Sequence, residues 1–380
     1  MNSSNGFTGG ALKKRPRIGL NGRFLLATRT GVQRSAYRMF RSVVEAGPDM
    51  DFLLFTGESE LFAPEWQLPN VKVIPTNLKA QAIFRNYFWE QFILPRLAKK
   101  YNVQILHNPA NLAPIFTHCP SVVNIHDLCF MVEPTWFSLT FRLIYSFLVP
   151  IIVDRSKIVI TNSNYSKNDI LSLLDVSLNK IRLTYWAVDP LFYEPPPLNH
   201  PKKEQILFVG SLEPRKNLAG LLQAYSLFRR NNPCYKHKLV VVGCENSLFA
   251  EEQYSLGEFR QDIEFVGYVS DANLRLLYQE STMLVYPSFY EGFGFPPLEA
   301  MASGIPVITS NSSSLPEVVG DAAIKVTPSD YGEIALSMAK LCDPAVAAYH
   351  SEQGKKQASQ FSWEQVGEHV VSIYREILAT

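Results

Sequence analysis

Met283-Leu-Val-Tyr-Pro-Ser-Phe-Tyr-Glu291-Gly-Phe-Gly-Phe-Pro-Pro-Leu-Glu299-Ala-Met-Ala-Ser-Gly304-Ile-Pro-Val-Ile-Thr309 reads as strand, glycine-broken loop, short helix, turn and strand. Met283–Tyr286 is a short apolar run closed by a proline, the pattern of a strand buried on both faces of a parallel sheet. Gly292 and Gly294 permit unusual dihedrals and a close approach of backbone to a ligand. Pro296 and Pro297 suit the first turn of a helix, where no N–H partner is lost, and Gly304 suits its end. That placement puts Glu299 in the first helical turn, with Glu291 just before the helix. Two carboxylates then flank a helix N-terminus at the carboxyl end of a strand, where open α/β sheets bind ligands.

Outward from this stretch, the chain repeats the same unit. Arg17–Phe24 is an expected strand running into a loop, followed by Thr28-Arg29-Thr-Gly31-Val-Gln-Arg34 and a helix carrying Val32, Ala36, Met39, Phe40, Val43 and Val44 at helical spacing. The helix N-terminus after Gly31 offers a phosphate cradle. Expected strands follow near Phe52–Phe55, Val71–Ile74, Ile105–Asn108, Ser121–Ile125, Lys157–Thr161 and Ile181–Thr184, with helices over Ile83–Lys100, Pro134–Val153 and Asn164–Leu174 between them. Tyr193–Glu204 holds four prolines among polar residues and continues neither element, so it reads as a linker. Gln205–Val209 restarts the alternation, which runs through Leu239–Gly243, Glu264–Gly267 and Ala323–Val326 to the helices Tyr331–Leu341, Val346–Gln360 and Ser362–Leu378. Strands alternating with helices imply parallel sheets covered on both faces. The expected division is a loose tail over 1–16, a first Rossmann-like domain over 17–192, the linker 193–204, a second such domain over 205–361, and a final helix over 362–380 returning to the first.

At 380 residues the chain exceeds one comfortable core, which agrees with two domains. Its net charge of +1 conceals an asymmetry. Met1–Pro195 carries 21 Lys and Arg against 14 Asp and Glu, or +7, whereas Pro196–Thr380 carries 15 against 21, or −6. A basic first half suits an anionic partner such as a phospholipid surface or a lipid-diphosphate acceptor. The five cysteines are scattered, without metal-ligand spacing, and fit a reducing compartment. Met1–Leu12 is polar rather than a secretory signal. The most membrane-like run, Trp136–Val153, holds Arg142 and Pro150 and is expected as a buried amphipathic helix.

Glu291-Gly-Phe-Gly-Phe-Pro-Pro-Leu-Glu299-Ala-Met-Ala resembles the Glu-(seven residues)-Glu signature of the retaining glycosyltransferases of family 4. The resemblance extends over Arg17–Leu378 and implies the GT-B fold, in which two doubly wound Rossmann-like domains face an interdomain cleft. It implies transfer of a hexose from a nucleotide-diphosphate sugar to a hydroxyl of a saccharide acceptor, with mannose from GDP-mannose the best expectation. The acceptor is expected to be lipid-linked, in cell-surface polysaccharide assembly, on a cytoplasmic protein peripheral to the inner face of the membrane. No nucleic acid, cofactor or metal is expected.

By the same resemblance, His126, in Val123-Asn-Ile-His126-Asp127, lies beside the reacting carbon of the donor sugar, with His107 as the runner-up at another strand end. Glu291 and the backbone of Gly292, Phe293, Gly294 and Phe295 hold the sugar, and Glu299 holds the ribose diol, since a carboxylate accepts from two hydroxyls. Arg215 and Lys216 meet the diphosphate together with Gly31, and Gly267 and Tyr268 lie against the base. Many members carry an Arg directly after the strand glycine of the diphosphate loop; here that place is Ser211, which leaves the charge to Arg215 and Lys216. Arg29 and Arg34 belong to the loop that resembles the acceptor side. Two readings compete. A nucleotide-sugar epimerase could share this fold, and acceptor-dependent release of nucleotide would argue against it; a catalytically silent binding protein would release none. A dehydrogenase is disfavoured, since neither half offers Gly-x-Gly-x-x-Gly after its first strand.

Overall fold

The computed structural model describes residues 15–26, 31–57, 63–78, 83–198, 200–243 and 257–380. The first sheet is built from β1 (Arg17–Asn21), β2 (Asp51–Gly57), β3 (Val71–Thr76), β4 (Ile105–Asn108), β5 (Ser121–Asn124), β6 (Ile158–Thr161) and β7 (Ile181–Leu183). The second takes β8 (Gln205–Val209), β9 (Lys238–Val242), β10 (Ile263–Gly267), β11 (Met283–Tyr286), β12 (Val307–Ser310) and β13 (Ile324–Val326). Their orders are 3-2-1-4-5-6-7 and 10-9-8-11-12-13, and the paired strands are parallel throughout. Each sheet therefore reverses its winding at one point, between β1 and β4 and between β8 and β11, where a crevice opens beyond the carboxyl ends. This is the GT-B architecture expected above.

Both sheets bury two faces, which explains strands without polar alternation: all four residues of β4, β5, β6, β11 and β12 are buried. The last helix, Trp363–Ala379, packs on the helix Gly31–Ala46 of the first sheet. Val366, Val370, Val371, Ile373 and Tyr374 enter that core, where a fully buried Val or Ile side chain stabilises by about 1.5–3 kcal/mol. Tyr374 also bonds Nδ1 of His107, whose Nε2 lies 2.7 Å from Asn124 Oδ1. His107 is thus a packed, satisfied histidine that fastens the final helix to β4, and not a site residue.

Two elements differ from the sequence reading. Ile83–Lys100 is not one helix, because Pro95 has no N–H to continue the ladder. A π turn over Trp89–Ile93, closed by the Leu94 N–H on Trp89 O, absorbs the lost bond between helices Ile83–Phe88 and Leu94–Lys100. The helix expected from Pro134 begins at Leu139, capped by Ser138 Oγ, since Pro134–Trp136 forms a separate 3-10 turn. That helix is also not buried. It is apolar on nearly every side, so packing can cover only one face: Val149, Ile152 and Val153 are buried while Leu139, Leu143 and Phe147 remain exposed.

Candidate active site

The carboxyl edges of the two sheets meet across a cavity of about 500 Å³. Gly31, Arg34, His126 and Asp127 line it from the first sheet, and Arg215, Lys216, Tyr268, Glu291–Pro296 and Glu299 from the second. Two glycines make the junction. A Cβ on Gly292 would stand 2.6 Å from the His126 carbonyl, so only glycine lets the halves approach this closely. Gly294 has φ +119° and precedes the helix Phe295–Ala302. That helix begins one residue earlier than the prolines suggest. Glu299 is therefore its fifth residue and lies beyond the first turn, a correction to the sequence reading.

Glu291 is the hub. Its Oε1 accepts from Lys216 Nζ at 2.6 Å, Tyr286 Oη at 2.7 Å and Ser288 Oγ at 2.6 Å, and its Oε2 accepts from Arg215 Nη1 at 3.0 Å. Burial alone would raise its pKa, but the Lys216 and Arg215 charges and these donors bring it down to about 2. Burial lowers Lys216, which Glu291 opposes by holding the proton on. Arg215 also pairs with Glu213 at 2.5 Å, so both cations are fixed by carboxylates.

Glu299, 2% exposed, accepts from Tyr278 Oη at 3.0 Å and pairs with Arg34. Arg34 reaches across the cleft from the helix Gly31–Ala46 and also binds Asp271 at 2.6 Å. The expected acceptor-side arginine thus stands on the carboxylate expected to hold ribose. Burial raises the Glu299 pKa, and Arg34 opposes this.

His126 lies two residues past β5, its N–H donating to Asn111 Oδ1 at 2.9 Å and its carbonyl accepting from Ser166 Oγ at 2.9 Å. The backbone is clamped, whereas neither ring nitrogen makes a well-formed hydrogen bond among the described residues; the Pro109 carbonyl approaches without satisfying one. Burial lowers the ring's pKa to about 4, so it is neutral at pH 7. Trp186 packs edge-on at 4.6 Å from the imidazole and stacks at 5.6 Å on Phe295, tying both halves to the site.

Of the sequence candidates, Gly31, Arg34, His126, Arg215, Lys216, Tyr268, Glu291, Gly292, Phe293, Gly294, Phe295 and Glu299 converge on this cavity. Gly267 does not line it; its carbonyl accepts from the Gly243 N–H behind Tyr268. Arg29 falls outside the described residues. Sequence reasoning missed Tyr278, Tyr286 and Ser288, whose hydroxyls satisfy the two glutamates. Tyr286 and Ser288 sit five and three residues before Glu291, inside the stretch that decided the fold, and a buried carboxylate there demands donors.

His126 also borders a second cavity of about 460 Å³ in the first sheet's half, lined among others by Asn21, Arg23, Tyr87, Glu90, Asn111 and Tyr145. Glu90 is 1% exposed. Its Oε1 accepts from Asn21 Nδ2 at 2.7 Å, and its Oε2 has no hydrogen-bond partner among the described residues. It sits on the π turn, and its role was not apparent in the sequence.

Comparison with known proteins bears on this geometry. The family model described as glycosyl transferases group 1 matches residues 193–357, and that described as glycosyltransferase family 4 matches residues 29–191. The O-antigen chain mannosyltransferase B of Escherichia coli is 35% identical over 236 residues, 59% of this chain and 61% of that protein. The MMP alpha-(1->4)-mannosyltransferase of Mycolicibacterium hassiacum is 30% identical over 230 residues, 58% of this chain and 54% of that protein. These matches thus span little more than half of either relative's own length. The sucrose-phosphate synthase structure from Thermosynechococcus elongatus superposes with a TM-score of 0.74 at 20% identity, covering 96% of this chain and 100% of that one.

Proposed function

The chain belongs to the glycosyltransferases of family 4, and from that premise we propose that it moves mannose from GDP-mannose to a hydroxyl of a lipid-linked saccharide in cell-surface polysaccharide assembly. Transfer retains the anomeric configuration and uses no metal. One observation carries this reading: a single cleft holds a buried carboxylate fixed by two cations, a second buried carboxylate, and an unpaired neutral imidazole. The sugar is the assignment suggested by two relatives described as mannosyltransferases, one of them acting on an O-antigen chain.

In this reading the diphosphate meets the outward N–H groups of Arg215 and Lys216, whose charge stabilises the leaving group. The ribose hydroxyls take Glu299 and displace Arg34 from it. Sugar hydroxyls meet Glu291, the Gly292–Phe295 backbone and a ring nitrogen of His126, which accepts or donates because it is neutral. The acceptor saccharide occupies the second cavity, with a hydroxyl on the unpaired Oε2 of Glu90. The bond from the anomeric carbon to the phosphate oxygen breaks, the acceptor oxygen bonds on the same face, and its proton passes to the departing phosphate oxygen. Glu291 is unsuited to act as a nucleophile, because three donors occupy Oε1 and Arg215 occupies Oε2. The test is release of GDP from GDP-mannose with and without a lipid-linked oligosaccharide acceptor. Acceptor-dependent release is expected; an acceptor-independent change of the sugar would indicate an epimerase, and no turnover a binding protein.

A further inference from the structure

Two surface elements flank the second cavity. The first runs through the π turn from Arg85 to Lys100. Its exposed residues are four cations (Arg85, Arg96, Lys99, Lys100) and three large apolar side chains (Phe88, Phe92, Ile93). Its single acid, Glu90, is turned inward, so no exposed negative charge and no exposed neutral polar residue interrupts the set. Phe88 is 58% exposed and Phe92 51%, with their rings 4.9 Å apart.

The second element is the helix Leu139–Arg155. Leu139, Leu143 and Phe147 recur at every fourth residue and are 60–68% exposed. Its charges are Arg142 and the terminal Asp154–Arg155 pair. The elements meet at Tyr87 and Tyr145 on the cavity wall, where the neighbouring phenol adds to the effect of burial in raising Tyr145. Arg155 extends the surface, its guanidinium 5.3 Å from the ring of Phe116. Large apolar side chains left in water across two adjoining elements mark an interaction surface. Cations and aromatic rings, with Asp154 as the one exposed acid and Arg155 beside it, match a segment lying in the headgroup region of an anionic bilayer.

We propose that this face docks on an anionic lipid bilayer. Phe88, Phe92, Leu143 and Phe147 enter the headgroup boundary, while Arg85, Arg96, Lys99 and Lys100 meet lipid phosphates. The inference rests on the reading of a lipid-linked acceptor, and it adds the place: the mouth beside Glu90 and His126 faces the membrane carrying the saccharide. The arginines of the helix Gly31–Ala46 do not serve this face: Arg34, Arg38 and Arg41 are engaged by Glu299 and Asp271, by Asp189, and by Glu45.

The test is flotation of the full chain with vesicles of phosphatidylcholine and phosphatidylglycerol, against vesicles of phosphatidylcholine alone. Binding to the anionic vesicles is expected to exceed that to the neutral ones at least about tenfold and to fade from about 0.1 M to about 1 M salt, as the Debye length shrinks from about 10 to about 3 Å. Each surface cation contributes about a fivefold factor, so R96Q/K99Q/K100Q should lower partitioning about a hundredfold. F88S/F92S and L143S/F147S should each lower it further, while calorimetric GDP affinity stays unchanged. Wild type that does not float, or triple and apolar variants that float like wild type, overturns the proposal. So does a dimer of the wild type that L143S/F147S converts to a monomer without any lipid binding, since the face would then belong to a second copy. Intact flotation together with full transfer to a water-soluble saccharide supports the docking and removes the lipid-linked acceptor.

Discussion

Lys216 and Glu291 should behave as one unit, which a double-mutant cycle can measure. In Lys216→Met, Glu291 loses its 2.6 Å partner but keeps Tyr286, Ser288 and, at 3.0 Å, Arg215. The loss is one charge-assisted bond, about 1.5–3 kcal/mol. Glu291→Gln is costlier, because it leaves the buried Lys216 ammonium facing Arg215 with a phenol as its remaining strong acceptor. Breaking a buried pair from that side costs about 3–5 kcal/mol. In K216M/E291Q neither orphaned charge remains. The double variant should therefore lose less than the sum of the singles by about 1.5–3 kcal/mol. Urea unfolding of the four proteins gives the stability cycle, and calorimetry with GDP gives the functional counterpart, in which K216M alone weakens binding by about 1.5–3 kcal/mol. Single costs that add to within about 0.5 kcal/mol would show that the two residues are independent and refute the hub.

Glu90→Gln should lower kcat/KM for the acceptor by about 10–150-fold, the worth of one charge-assisted bond, and leave GDP affinity unchanged; an unaltered acceptor response removes Glu90 from recognition. Arg34→Gln strips Glu299 of its cation and should cost about 3–5 kcal/mol of stability. GDP, by supplying ribose hydroxyls to that carboxylate, should then raise the melting temperature more in R34Q than in wild type, and an equal rise counts against ribose at Glu299. His126 and His107 are both held near pKa 4 against an ordinary 6.5, so their stabilising effect is complete above pH 6.5 and is lost as the pH falls toward 4. From pH 7 to pH 5 each should cost about 2 kcal/mol, and H126N should remove its share of that slope in urea titrations; identical slopes in the two proteins refute it.

The fold was legible because a buried parallel strand needs an unbroken apolar run, and Met283–Tyr286 or Leu239–Val242 has few other uses. The glutamates were legible too, since Gly292, Gly294 and the two prolines confine that backbone to one kind of turn. Less legible was whatever depends on two distant segments meeting. Arg34 lies 265 positions from Glu299, and no local pattern announces their pairing. The π turn arises because Pro95 conflicts with a helix whose apolar period continues through it, and periodicity records only the second fact. Likewise, Leu139–Arg155 carries too little polar contrast to tell an inward face from an outward one.

Transfer from this cleft, with the leaving charge carried by Arg215 and Lys216, is tested most directly by the linkage formed from GDP-α-mannose in the presence of EDTA. The anomeric coupling of the product in NMR should show an α linkage, at a rate equal to that without EDTA. A β linkage, or activity that disappears with EDTA and returns with Mn²⁺, would contradict it.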